Sequence, residues 1–345
     1  MLHEGENMKI DFVIPWVDGN DMEWRKIKQQ YLEMKEQDIA LEPDDISKYR
    51  DWELLKYWFR SVEKYAPWVN RVHFITHGHI PDWLDVNHPL LNIVLHTDFI
   101  DKSHLPIFNP FPLEMNLHRI KDLSEYFVYF NDDMYLINDV AKEDFFRGNL
   151  PCDEAVFGNI DSDNYDTEFP HVILNAVGVI NRNFHFPTQI TKHREKFINE
   201  IYEDQLFKNE FFIKRGLFPG FYFHHLPQPF LKSTFTELWN HESTLMNKVT
   251  SQKFRTLQAV NQYLFRFWQL LEGKFTPSYY RKKGFAFFNP NNEEKEIVEF
   301  IENQKRQMIC INDRVNIPKE RFIQLRNLFK DAFEQKLFEK SSFEK

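Results

Sequence analysis

Cysteine is nearly absent from this 345-residue chain, with Cys152 and Cys310 the only two. They cannot build a disulfide framework and stand in no CxxC-like metal spacing, so a reducing cytosol is the expected compartment. Long apolar runs are missing as well, which excludes a membrane-spanning helix. The polar stretch Met1 to Asn7, with two acidic side chains, does not read as a secretory signal. The expectation is a soluble or peripheral protein. Positive charge is short too: the net charge is −9 and the pI about 5.9. That balance excludes a nucleic-acid binder, whose affinity for phosphate comes from clustered Lys and Arg. Any anionic substrate must be held locally, by a metal or by a few placed cations. Glycine is scarce at 10 residues, whereas phenylalanine reaches 36. With 42% hydrophobic content the chain can bury a sizeable aromatic core, as one large domain or a domain with an insertion, and leave rings for stacking.

The first half alternates strand-like and helix-like segments, the pattern of an α/β sheet with loops at the strand ends. Strands are expected at Ile10–Val17, Arg71–Thr76, Asn92–His96, Phe127–Phe130 and Ala155–Phe157. Glu53–Tyr65 carries Leu54, Leu55, Trp58, Val62 and Tyr65 near one helical face and stops at Ala66-Pro67. A second helix is expected over Leu113–Leu123. The second half reads mainly helical, at Phe197–Leu206, Thr236–Met246 and Val260–Leu271, with Thr234 and Glu237 as a capping box for the middle one. From Pro318 the tail forms an amphipathic pattern, with Phe322, Leu325, Phe329, Phe333 and Leu337 on one side. Docking on the domain is the plain reading of this tail. Attachment to a membrane surface is less supported, because its charged face is mixed.

The most informative segment is the apolar strand that ends in Asn131, Asp132 and Asp133. Carboxylates at a buried strand end suit a hard divalent cation that also meets substrate phosphates, and they equally suit an ordinary turn. A rival acidic cluster, Asp161 to Asp166, has a DxD spelling but the density of a solvated loop. At the end of the first strand, Pro15, Trp16, Asp18 and Gly19 form an aromatic edge before an acidic turn, where open α/β sheets place ligands. A core tryptophan before a turn fits the same residues. His118-Arg119 and His224-His225 stand out among the histidines. A histidine near neutrality can take a proton from an attacking hydroxyl, and Arg255 could clamp phosphate oxygens with its planar fork. Each of these taken singly also fits a structural role. Ile309 to Asp313 repeats the pattern of an apolar run ending in Asn-Asp.

Taken in order, these segments resemble the four characteristic regions of the Stealth family of sugar-phosphate transferases. The resemblance runs from Ile10–Gly19 through Arg50–Leu55, Tyr65–Trp68, Ile80–Leu84, Ser103–Pro106 and Leu117–Ile120 to Asn131–Asp133. It continues at His225–Pro227 and Phe254-Arg255, and ends at Ile309–Asp313. It implies that Glu114, Asp133, His225 and Arg255 fall on functional positions, with Asp132, His118, Arg119 and Asp313 in the same matched motifs. It implies a GT-A-like, nucleotide-sugar-binding sheet with a helical portion at about 190–275, a catalytic domain over 8–316 and a C-terminal amphipathic helix over 317–345. The expected reaction moves a hexose-1-phosphate from a UDP-hexose to a polysaccharide acceptor and releases UMP. Asp132, Asp133 and Asp313 would hold Mg²⁺ or Mn²⁺, and Pro15, Trp16, Asp18, Gly19, His118, Arg119 and Asn131 would meet substrate. A cytoplasmic protein at the periphery of a membrane-bound capsule-assembly complex fits this reading. Thr76-His77-Gly78 departs from the family, which has asparagine at the histidine position. Two alternatives stand beside this one: a conventional glycosyltransferase that releases UDP, and a carbohydrate-binding protein with no turnover. Because the matched segments end near Asp313, deleting Pro318–Lys345 is expected to leave turnover measurable.

Overall fold

The computed structural model describes residues 8–34, 49–162, 168–303, 306–313 and 317–345. In chain order its strands are β1 (Ile10–Trp16), β2 (Arg71–Thr76), β3 (Leu91–Leu95), β4 (Tyr126–Tyr129), β5 (Met134–Leu136), β6 (Phe146–Arg147), β7 (Leu150–Asp153), β8 (Gln228–Leu231), β9 (Thr276–Pro277), β10 (Gly284–Phe287) and β11 (Met308–Ile311). The central sheet has the order β3-β2-β1-β4-β8, parallel except for β8, which runs antiparallel to β4. A mixed α/β architecture is what the alternation in the sequence requires. Parallel strands are covered on both faces, and β1 shows how one strand serves two cores. Ile10, Phe12 and Ile14 pack into one hydrophobic cluster and Val13 into the other.

Smaller sheets complete the molecule, in the orders β10-β11-β5 and β6-β7-β9. The second half is therefore less helical than its periodicity suggests, because it contributes strands to all three sheets. The Ala155–Phe157 run is no strand. It makes only a bridge from Phe157 to Phe221, while the paired strand is β7 just before it.

Several expected helices are cut differently. The segment beginning near Leu113 is helical only over Phe111–Met115, followed by a short 3-10 turn at Leu117–Arg119. Asn116 turns its side-chain amide back to the Pro112 carbonyl and across to Thr250, and Asp122 stands at φ +63°. Over Phe197–Leu206 a 3-10 segment capped by Asn199 replaces the expected helix, with Glu203 at φ +48°. The expected Thr236–Met246 helix is two helices, Lys232–His241 and Ser243–Thr250. The capping box there does not form: Thr234 is buried inside the first of these helices, and Glu237 pairs with Lys274 at 2.6 Å. The helix Gln262–Leu271 is capped by Asn261, whose side chain accepts from the Tyr263 amide.

The tail is not an appendage. Helix Lys319–Lys336 buries Phe322, Leu325, Phe329 and Phe333 in the same core as β1 and the helix Leu55–Tyr65. Phe333 stacks on Tyr57 at 5.7 Å, and Trp52 meets both Phe322 and Phe329. The last residues continue the packing. Arg60, 5% exposed, holds Glu344 at 2.7 Å and donates to the Leu337 carbonyl at 2.7 Å, while Phe343 is buried against Phe59. The tail therefore docks on the domain, as its amphipathic pattern suggests, and this shared core makes its deletion costly in stability. Among the described residues no helix is long and apolar enough to cross a membrane.

Candidate active site

Strand order in the central sheet reverses between β1 and β4, and the carboxyl ends of these two strands open into a cavity of about 490 Å³. This is the crevice in which open α/β sheets bind ligands. From β1 come Pro15 and Trp16, the indole stacked on Phe74 at 5.9 Å. From the turn between β4 and β5 come Asn131, Asp132 and Asp133. β5 pairs antiparallel with β11, and the Ile311 amide donates to the Asp133 carbonyl at 2.9 Å. That pairing sets Asn312 beside Asp133. Helix Phe111–Met115 contributes Glu114, the segment before β8 contributes His225, and the loop before helix Gln262–Leu271 contributes Arg255. Residues far apart in sequence thus line one space.

Asp133 and His225 are joined through Asn312, whose amide nitrogen lies 2.8 Å from Asp133 Oδ2 and 3.1 Å from His225 Nε2. The direct separation of Asp133 Oδ2 from His225 Nε2 is 3.6 Å. The other imidazole nitrogen, Nδ1, lies 3.3 Å from the Tyr263 hydroxyl. His225 has φ +46°, a conformation few non-glycine residues adopt and one that turns the residue sharply out of the chain path. Burial by itself would raise the Asp133 carboxyl, but His225, Asn312 and Cys310 around it hold it below the usual carboxylate range.

Glu114 is 2% exposed and accepts hydrogen bonds from the Tyr129 hydroxyl at 3.2 Å and the Gln262 amide at 3.1 Å. Burial pushes its carboxyl up to about 7, against the pull of those donors and of Arg255. Asp132 faces the open space of the cavity. Its depth, and then the charges of Asp133 and Asp51, push its carboxyl upward as well. Arg255 pairs with Glu168 at 2.8 Å and lies over the Phe111 ring.

A divalent cation fits this donor set. Asp133 Oδ1 and Asn312 Oδ1 are buried oxygens with no hydrogen-bond partner, next to the Asp132 carboxyl, and oxygen ligands suit Mg²⁺ or Mn²⁺. Asp133, His225 and Cys310 also lie close enough to share an ion. The Asn312 amide nitrogen, however, already bridges Asp133 and His225, which makes that trio a hydrogen-bonded group. Asp313, the third expected ligand, lines the same cavity. Its carboxylate is gripped at both oxygens by Arg50, at 2.6 and 2.8 Å.

Four other expected site residues are not among those that line the cavity. His118 packs against Phe235 and Trp239, burial drives its imidazole down to about 4, and Arg119 lies over the Trp239 ring at 4.1 Å. Both face helix Lys232–His241, which explains why they do not reach the strand ends. Asp18 and Gly19 belong to the turn after β1 and are not lining residues. Asp18 accepts from the Asn20 amide at 2.8 Å, and a Cβ on Gly19 would fall 1.8 Å from the Tyr49 carbonyl oxygen, so glycine is needed there for close packing. The rival cluster from Asp161 to Asp166 runs into residues 163–167, which lie outside the described residues.

Tyr263 and Glu168 line the site without having been singled out from sequence. Tyr263 reads as one more core aromatic on a helix, and no local pattern marks it as the partner of a histidine 38 positions earlier. Asn312 has a signal in sequence, the Asn-Asp end of an apolar run, which it shares with its charged neighbour Asp313.

Comparison with known proteins places these features in context. The family model Stealth protein CR1, conserved region 1, matches residues 8–36, and Stealth protein CR2, conserved region 2, matches residues 48–152. A capsular polysaccharide phosphotransferase of Streptococcus pneumoniae, WcwK, is 41% identical over 342 residues, covering 99% of both chains. A receptor polysaccharide phosphotransferase of Streptococcus gordonii, WefC, is 37% identical over 97% of this chain and 99% of its own. An exopolysaccharide phosphotransferase of Lactiplantibacillus plantarum is 35% identical over 97% of this chain and 96% of its own.

Proposed function

The chain belongs to the Stealth family, and from that membership we propose that it is a phosphotransferase that moves hexose-1-phosphate from a UDP-sugar onto a hydroxyl of a capsular or other surface polysaccharide. N-acetylhexosamine-1-phosphate is the transferred group in this reading, and UMP leaves. The observation that carries it is the meeting of Asp133, His225, Glu114 and Arg255 in one cavity at the β1 and β4 ends. We read that crevice as the nucleotide-sugar cleft of a GT-A-like core, with the base against Pro15 and Trp16.

The chemistry follows from the side chains. His225 Nε2 takes the proton of the acceptor hydroxyl, and the freed oxygen attacks the phosphorus next to the sugar. The oxygen–phosphorus bond to the acceptor forms as the bond from that phosphorus to the bridging oxygen of UMP breaks. Negative charge develops on the phosphate oxygens, where the Arg255 guanidinium offers a planar fork of donors. Asp133 then faces an imidazolium and stabilises it. Glu114, poised close to neutrality, is the second group in the cavity able to hold a proton. Asp133 and Asn312, with Asp132, would hold Mg²⁺ or Mn²⁺, and a bound ion supplies neutralisation of the diphosphate.

Identifying the released nucleotide tests the reading. With a panel of UDP-sugars and short capsule-like acceptors, UMP and a product heavier by a sugar phosphate are expected by mass. UDP with a product heavier by a sugar alone would assign ordinary glycosyl transfer instead. A peripheral place on a membrane-bound capsule-assembly complex completes the proposal, and co-sedimentation with membranes from a capsule-producing cell checks it.

A further inference from the structure

The hydrogen bonds around His225 determine where its single proton sits. Asn312 offers two N–H donors from one nitrogen, and that nitrogen is 2.8 Å from Asp133 Oδ2. A carboxylate only accepts. Turning the amide over would set its oxygen against the carboxylate, acceptor to acceptor, so Asp133 fixes the amide's orientation. The second N–H of the same nitrogen then faces His225 Nε2 at 3.1 Å, and Nε2 must present a lone pair to receive it. Direct donation from Nε2 to Asp133 is not the competing arrangement, because 3.6 Å is too long for a hydrogen bond of that kind. A neutral imidazole carries one proton, which is left for Nδ1, where the Tyr263 hydroxyl oxygen stands 3.3 Å away to accept it.

We propose that Asn312 is the positioning residue that selects the Nδ1-protonated tautomer of His225, with Tyr263 orienting the ring as the acceptor of that proton, so that the lone pair that takes the acceptor's proton is on Nε2. The inference rests on the reading of His225 as the base. It adds what that reading lacks: the reason the correct nitrogen is basic before substrate arrives. The surrounding backbone serves the same end. His225 sits at φ +46°, and the segment leading to it is pinned where Arg266 donates to the Tyr222 carbonyl at 2.8 Å. Asn312 is pinned in turn by its own amide, which donates to the Phe287 carbonyl at 2.9 Å. When Nε2 takes a proton, the imidazolium donates from both nitrogens, with Tyr263 already in place for one and Asp133 the nearest anion for the other.

The test separates tautomer from turnover. The protein is labelled with ¹⁵N-histidine and studied free of metal at mildly alkaline pH, and the His225 signals are identified by their loss in His225→Gln. Long-range proton–nitrogen correlation spectra then distinguish a nitrogen that bears hydrogen from one that bears a lone pair. Wild-type protein is expected to show the lone pair on Nε2. Asn312→Asp puts an acceptor where a donor stood and is expected to move the proton to Nε2. Asn312→Ala removes the selection and is expected to give a mixture of both forms. In parallel, UMP release by the metal-loaded enzyme is expected to fall about 10²-fold in kcat for Asn312→Asp. Asn312→Gln, which keeps an amide, should recover part of that loss. Tyr263→Phe should lower kcat about tenfold and keep the lone pair on Nε2. A wild-type spectrum with a proton on Nε2 overturns the proposal, and so does an Asn312→Asp spectrum like that of the wild type. If no UDP-sugar yields UMP with wild-type enzyme, the reading of the reaction fails while the spectra still decide the tautomer.

Discussion

His225, Arg255 and Glu114 make different demands on a substitution. If His225 is the base, His225→Ala should lower kcat by about 10²–10⁴-fold while donor affinity stays near that of the wild type. Calorimetric donor titration beside UMP release checks this, and normal release per folded molecule would contradict it. Arg255→Lys keeps the charge and loses the fork, so a large fall in kcat is expected if two donors meet the phosphate together. Glu114 gives a pH signature. Its folded-state pKa is about 7 against an ordinary 4.5, because burial disfavours the charged form. A raised pKa means stability that is present in full below the unfolded value and is lost as pH rises through the folded one. The loss between pH 5 and pH 8 should be on the order of 3 kcal/mol. Glu114→Gln stays neutral and can still pair with Tyr129 and Gln262, so its unfolding free energy should lack this fall. Urea unfolding of both proteins at the two pH values measures the difference, and a gap that does not change with pH would contradict the burial argument.

Helix Gln262–Leu271 organises much of the site from one element. Its first amide donates to Glu114, Tyr263 meets His225, and Arg266, fully buried, holds Asp153 at both carboxylate oxygens while donating to the Tyr222 and Glu154 carbonyls. The Arg266 guanidinium keeps the Asp153 carboxyl down at about 2 despite its burial. Arg266→Met should strand that carboxylate and cost about 3–5 kcal/mol, whereas the double variant Arg266→Met with Asp153→Leu should recover most of the loss. Urea melts of the single and double variants decide this. Much of the helix was legible, since Val260–Leu271 has clear periodicity and only its start needed moving to the Asn261 cap. What sequence cannot carry is partnership. The strands β1, β2 and β4 announce themselves by mainly apolar runs, broken by Asp11 in β1 and by Arg71, His73 and Thr76 in β2, and the carboxylates after β4 by their position. The pairing of Arg50 with Asp313 spans 263 residues and no local pattern contains it. His118 and Arg119 lie away from the cavity for a related reason: a motif's neighbours in sequence can face the opposite side of a helix-packed wall.

For the whole molecule, the two hydrophobic clusters on the faces of the central sheet make the C-terminal segment part of the catalytic fold. Deleting Pro318–Lys345 would uncover Trp52, Tyr57 and Phe59 and strip Arg60 of Glu344. The truncated chain is therefore expected to lose cooperative unfolding and to aggregate. A soluble truncation with a sharp thermal transition near that of the full chain would show the tail to be dispensable. In the proposed reaction the net charge of −9 would leave the holding of a diphosphate to the cavity itself, through Arg255 and a cation on the oxygens of Asp133 and Asn312. Removing divalent ions with a chelator should abolish turnover, and added Mg²⁺ or Mn²⁺ should restore it. The central claim concerns which bond breaks. A UDP-sugar carrying radioactive phosphorus only in the phosphate next to the sugar, incubated with enzyme and a capsule-like acceptor, reads this directly. Label should pass to the polysaccharide product while the released nucleotide stays unlabelled; label retained in released UDP, with an unlabelled product, would contradict sugar-phosphate transfer.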